Sequence, residues 1–144
     1  MSDSRYNKTI INTTFVNNDG CRAGAIYTSL APLYITNCSF SGNKAIDKNT
    51  GYEASGGAIY DHSSELTIVN TEFINNTADE NGGALELGNT MSTYSSGENI
   101  TDNIDWTIIK NCTFDNNYAR KEGGAIYNGK NIAYTNISDS RFTN

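Results

Sequence analysis

Apolar residues in this 144-residue chain come in short bursts, with no run of helical periodicity. In Leu66–Phe73 (LTIVNTEF), Leu66, Ile68, Thr71 and Phe73 fall on one face of an extended chain. Thr67, Val69 and Glu72 fall on the other, and a turn at Asn70 accounts for the change of phase. A helix would instead show apolar positions at a 3.6-residue period over ten or more residues. The pattern predicts strands of three to five residues broken by Asn and Gly.

These bursts repeat. IINTTFVNN at 10–18, ITNCSFSGN at 35–43, IVNTEFINN at 68–76 and IIKNCTFDNN at 108–117 are variants of one phrase, and a fifth, ISDSRFTN, closes the chain. All five phenylalanines, Phe15, Phe40, Phe73, Phe114 and Phe142, lie in it, each with an isoleucine five residues earlier. Three residues before Phe stands Asn12, Asn37, Asn70, Asn111 or Asp139, and three after stands Asn18, Asn43, Asn76 or Asn117. A second phrase alternates with the first: AGAIY at 23–27, GGAIY at 56–60, GGALE at 82–86 and GGAIY at 123–127. From Phe to the next Ala of this phrase there are 10, 18, 11 and 11 residues, and from that Ala to the next Phe 15, 15, 30 and 17. The short values give about 26 residues per repeat, and the two long ones mark insertions at 46–55 and 88–104.

Three short strands per repeat of this length describe an all-β parallel β-helix, a solenoid of four to five coils filling residues 1–144 as one domain. Each coil lies ~4.8 Å above the last, so equivalent residues stack. Five inward columns follow: isoleucine (Ile10, Ile35, Ile68, Ile109, Ile137), small (Thr13, Cys38, Thr71, Cys112, Ser140), phenylalanine, small again (Gly20, Ala45, Ala78, Ala119), and the aliphatic of the second phrase (Ile26, Ile59, Leu85, Ile126). Gly-Gly lets the backbone turn sharply into that last strand. Asn tolerates left-handed geometry, and Asn12, Asn37, Asn70 and Asn111, stacked at one corner, are expected to bond amide to amide along the axis.

The alternation of GGA[ILV] and FxxN resembles the repeats of chlamydial polymorphic membrane proteins and of adhesin-like surface proteins of methanogenic archaea. Phe15/Asn18, Phe40/Asn43, Phe73/Asn76 and Phe114/Asn117 match FxxN; Gly56–Ile59, Gly82–Leu85 and Gly123–Ile126 match GGA, with Ala23 departing at the first glycine. The resemblance implies a right-handed β-helix, carried to the cell surface or secreted within a larger exported protein, and working in adhesion. The implied partners are surface glycans or proteins of a host or partner cell. The start MSDSRYNKTI lacks the apolar segment of a signal peptide, so the chain is expected to be a fragment of a longer passenger.

Composition narrows the alternatives. A net charge of −6 and a pI near 4.6 exclude a nucleic-acid partner, because phosphate binding needs clustered Lys and Arg. No apolar run approaches the ~18 residues of a membrane-spanning helix. Asn reaches 21 residues, phased to Phe, while Pro occurs once. Cys21, Cys38 and Cys112 match no zinc spacing; Cys38 and Cys112 share a column two rungs, ~9.6 Å, apart, too far for a disulfide. The turns NNDG, DKNTG and DENGG match no calcium loop, and no metal or cofactor is expected.

Candidate ligand contacts are the tyrosines that follow each inward aliphatic, Tyr27, Tyr60 and Tyr127, with Glu86 on the third rung. Strand alternation points them outward, where Tyr stacks on sugar rings. Tyr52 and Tyr94 on the insertions are further candidates. The competing function is a carbohydrate-active β-helix enzyme, a polysaccharide lyase or glycoside hydrolase. Its catalytic pair would be Asp61, beside the sole histidine His62, and Glu86, since a glycosidase needs two carboxyls facing one bond. Glu86 falls in the tyrosine column and Asp61 one residue past it, and that offset favours the binding function over the enzyme. Among seven N-x-[ST] sequons, Asn99 on the second insertion is the best placed for glycosylation. Exposed coil ends make end-to-end self-association a further expectation.

Overall fold

The computed structural model describes residues 6–29, 31–49, 51–62, 65–88, 106–129 and 134–144. Among these there is no helix. The first coil carries β1 (Lys8–Ile11), β2 (Thr14–Val16), β3 (Asp19–Gly20) and β4 (Ile26–Ser29). The second carries β5 (Leu33–Thr36), β6 (Ser39–Ser41), β7 (Lys44–Ala45) and β8 (Ile59–His62), and the third β9 (Leu66–Val69), β10 (Glu72–Ile74), β11 (Thr77–Ala78) and β12 (Leu85–Leu87). The fourth has β13 (Trp106–Lys110), β14 (Thr113–Asp115), β15 (Tyr118–Ala119) and β16 (Ile126–Asn128), and a fifth begins with β17 (Tyr134–Ser138) and β18 (Arg141–Thr143).

Every fourth strand pairs, in parallel, with its counterpart one coil away. Four sheets result, with orders β1-β5-β9-β13-β17, β2-β6-β10-β14-β18, β3-β7-β11-β15 and β4-β8-β12-β16. This is a parallel β-helix. It has four strands per coil where the sequence pattern predicts three, because the two-residue stretches at Gly20, Ala45, Ala78 and Ala119 also pair. Equivalent residues are 25, 33, 41 and 28 positions apart in successive coils. The two enlarged intervals contain the insertions.

The register puts like over like. Ile10, Ile35, Ile68, Ile109 and Ile137 are Cα partners in sequence, as are Phe15, Phe40, Phe73, Phe114 and Phe142. The phenylalanine rings stack within 7° of parallel, with centroids 4.6–5.0 Å apart. The middle three are buried, while Phe142 and Ile137 on the last rung are 47% and 43% exposed. The core is thus a column of burial that fades at both ends, as a one-dimensional stack requires.

The glycine pair of the second phrase has two separate causes. Gly56, Gly82 and Gly123 sit at φ +68°, +62° and +67°, left-handed geometry that costs an L side chain roughly 1–2 kcal/mol. Gly57 and Gly83 have ordinary φ but no room: a Cβ on either would lie 2.0 Å from the carbonyl oxygen of the equivalent glycine one coil on. The following alanine carbonyl then accepts from two successive N–H groups of its neighbour, as in a β-bulge; Ala84 O takes Ala58 N–H and Ile59 N–H, both at 2.9 Å.

Asparagine occupies two kinds of site. Asn12, Asn37, Asn70, Asn111 and Asp139 turn the chain at φ near +50° and are exposed. Two amide bonds link them along the axis, Asn70 Nδ2 to Asn37 Oδ1 at 3.1 Å and Asn111 Nδ2 to Asn70 Oδ1 at 2.8 Å. The buried ladder is the other set: Asn43, Asn76 and Asn117, capped by Asn18. Asn76 Nδ2 donates to Asn117 Oδ1 and to Phe40 O, and its Oδ1 accepts from Asn43 N–H and Nδ2. Every strong polar group of this amide is satisfied, which is the condition for burying it.

Candidate functional site

The outer face of the fourth sheet carries Tyr27, Tyr60, Glu86 and Tyr127 in register. Only Tyr27 is exposed, at 42%; Tyr60 is 7% and Glu86 4% exposed, and Tyr127 is half-buried. An open aromatic column, the arrangement strand alternation predicts, is therefore absent from its two middle rungs. Beside these rungs the first insertion does not project freely from the stack. Its Ala54 and Ser55 are fully buried, Ala54 beside Ala45 and Ala78. Glu80 N–H donates to Ala54 O at 3.0 Å and Asn81 N–H to Ser55 Oγ at 3.2 Å. Tyr60 OH donates to Glu53 Oε2 at 3.4 Å.

The apex of the insertion is open. Asp47, Asn49, Gly51, Tyr52, Glu53 and Glu80 line a cleft of about 400 Å³. Asn49 N–H donates to Asp47 Oδ1 at 2.7 Å, a side-chain turn that fixes the loop. Asp47 N–H donates to Asp79 Oδ2 at 2.9 Å, tying it to the next coil. Lys121 Nζ meets Glu80 Oε1 at 2.7 Å on one wall. Tyr52 is 53% exposed, and the Arg22 guanidinium stands 4.2 Å over its ring and 4.9 Å over that of Tyr27. One cation thus covers a face of both tyrosines.

Glu86 has unusual electrostatics. Its Oε2 is buried with no hydrogen-bond partner. Burial first, then the charges of Glu53, Glu80 and Glu122, push its carboxyl up to about 8. The same two effects, burial and then Glu53 and Glu86, raise Tyr60 well above the usual phenol range. Tyr127 is raised by desolvation and by Glu122 and Glu86.

Asp61 and Glu86 are not brought together. Asp61 pairs with Leu87, a core residue, and is 3% exposed on the inward side, whereas Glu86 pairs with Tyr60 on the outward side. Alternation along a strand separates them across the sheet. His62 is half-buried beside the rings of Tyr27 and Tyr60, 6.4 and 6.0 Å away. Cys38 and Cys112 are buried, with thiols donating to Thr36 O and Lys110 O at 3.2 Å; Cys21 is free and half-buried. Among the described residues no group of three or more His, Cys, Asp or Glu is arranged to hold a metal ion. Tyr94 and Asn99 lie outside the described residues.

A second aromatic surface lies outside the two repeated phrases. Trp106 and Tyr134 are register partners on the first sheet, 45% and 46% exposed, with ring centroids 4.7 Å apart. Ile108 beside them is 38% exposed. The available signal is their offset: each stands three residues before a column isoleucine, Ile109 or Ile137.

A solenoid with this alternating ladder defines the class, a repeat protein built from parallel β coils. Residues 37–61, 70–86 and 111–129, in the second, third and fourth coils, match the model of the Chlamydia polymorphic membrane protein (Chlamydia_PMP) repeat. No curated protein and no solved structure matches the chain.

Proposed function

We propose that this chain is a stiff structural segment of a cell-surface, adhesin-like protein, displaying loops and sheet faces to surface glycans or proteins. The polymorphic membrane protein repeat supports a surface setting. The observation that carries the binding role is the cleft at the apex of the first insertion. Tyr52, Glu53, Asp47 and Glu80 surround it, on a loop anchored by backbone hydrogen bonds to the coil beneath. An open depression lined by aromatic and carboxylate groups suits a polyhydroxylated ligand, with the ring stacking and the carboxylates accepting from hydroxyls. The Trp106–Tyr134 pair offers a second flat platform of the same chemistry.

The register argues against the catalytic pair of the enzyme alternative, since Asp61 pairs with Leu87 and Glu86 with Tyr60, and strand alternation puts successive positions on opposite faces. A glycan-array and surface-protein screen of the chain tests the proposal, repeated with Tyr52→Ala and Trp106→Ala. Retained binding in both variants, or polysaccharide cleavage abolished by Asp61→Asn, contradicts it.

A further inference from the structure

We propose that Glu86, enclosed between Tyr60 and Tyr127 and facing Glu53, is a proton-operated latch that holds the insertion 46–55 against the fourth sheet. The latch goes beyond display of a ligand face and holds whatever the cleft binds.

Glu86 is 4% exposed, its Oε2 is unpartnered, and it stands one rung from both tyrosines. The groups facing it come from five places in the chain. Tyr60 lies on β8 and Tyr127 on β16; Glu53 lies on the insertion; Glu80 lies on the turn after β11, and Glu122 on the turn before β16. The cations on this face are engaged elsewhere, Lys121 by Glu80 at 2.7 Å and Arg22 over the rings of Tyr27 and Tyr52. An ionised Glu86 therefore meets three carboxylates, and among the described residues no ion pair to it offsets them. A neutral Glu86 is compatible with the closed arrangement, in which Glu53 accepts from Tyr60, Ala54 O from the Glu80 amide and Ser55 Oγ from the Asn81 amide.

The linkage has a definite sign. Closed, Glu86 keeps its proton to about pH 8; once the insertion lifts, Glu53 and part of the burial are gone and the value falls toward the ordinary 4.5. The open form binds fewer protons, so opening is favoured about tenfold per pH unit between these limits and levels off above. Low pH closes the latch, and mildly alkaline pH loosens it.

The Glu80 and Asn81 amides report directly on docking, because they donate to Ala54 O and Ser55 Oγ. Their hydrogen-exchange protection factors should fall about tenfold per pH unit from about pH 5 to 8 and then flatten. The Glu86 side-chain carboxyl, followed by carbon NMR, should titrate where the curve flattens. Glu86→Gln should give high, pH-independent protection. Flat protection factors in the wild-type chain, a Glu86 midpoint in the ordinary carboxylate range, or an unchanged slope in Glu86→Gln would overturn the latch. Should Glu86→Gln fail to fold, Glu53→Gln serves instead. It removes the foremost of the neighbouring charges, so the Glu86 midpoint and the break in the protection curve should move to lower pH together. A midpoint that moves without the break contradicts the proposal.

Discussion

Asn43 and Asn76, 33 residues apart, are joined through a single oxygen: Oδ1 of Asn76 accepts the backbone N–H of Asn43 at 3.0 Å and its Nδ2 at 2.9 Å. The same pattern links Asn76 to Asn117 and Asn18 to Asn43. One side chain thereby fixes the vertical position of the coil before it.

Removing that side chain leaves several buried groups without partners, each costing ~1–3 kcal/mol. Asn76→Ala should therefore lower unfolding free energy by about 3 kcal/mol or more by urea titration. Asn70→Ala should cost less, about 1–2 kcal/mol, because its amide is exposed and the loss comes mainly from the left-handed backbone. Equal costs would show that the two ladders are not distinguished by burial.

Glycine position matters more than glycine content. Gly57→Ala drives a Cβ into the Gly83 carbonyl oxygen, and about 3 kcal/mol of destabilisation is expected. Gly51 sits at φ +78° with open space around it, so Gly51→Ala should cost only the ~1 kcal/mol of backbone strain. Thermal melts of the two variants check the order.

Core truncation should depend on the rung. Phe73→Ala removes a fully buried ring stacked on both sides, and should cost about 3–5 kcal/mol. Phe142→Ala removes a ring stacked on one side and 47% exposed, and should cost less than half as much. A similar loss at both positions would contradict a core that fades toward the ends.

Glu86 also sets a pH dependence of global stability. Its folded value of about 8 lies above the unfolded value of 4.5, so the folded chain binds more protons between the two. Its contribution to stability is fully present below 4.5, declines as pH rises, and is lost by about pH 8. Relative to Glu86→Gln, the wild-type chain should lose stability from pH 5 to 8 in parallel urea titrations. A difference independent of pH would contradict the shifted carboxyl.

The columns were legible in the sequence because stacking demands near-identity: only a ring packs well above a ring, so Phe and Ile recur at fixed offsets. The left-handed corners were legible through Asn for the same reason. Burial of amides was not, because Asn70 and Asn76 are the same residue and only the path of the chain decides which faces inward. Tyr60 and Glu86 alternate as an exposed face should, yet both are buried, and the Glu53 carboxylate that Tyr60 meets comes from an insertion, which by nature lies outside the repeat that predicts everything else. The cleft at Tyr52 likewise depends on how Asp47 and Glu80 meet across coils, which no local pattern encodes.

Vertical stacking of equivalent residues underlies the whole fold, and ring-to-ring contacts in the phenylalanine column test it most directly. In a NOESY spectrum with selectively labelled phenylalanine, Phe73 should show strong contacts to both Phe40 and Phe114, at centroid distances of 5.0 and 4.8 Å. Phe40 and Phe114, two rungs or ~9.6 Å apart, should show none. Contact between Phe40 and Phe114, or its absence between Phe73 and either neighbour, would contradict the fold and the cleft built on it.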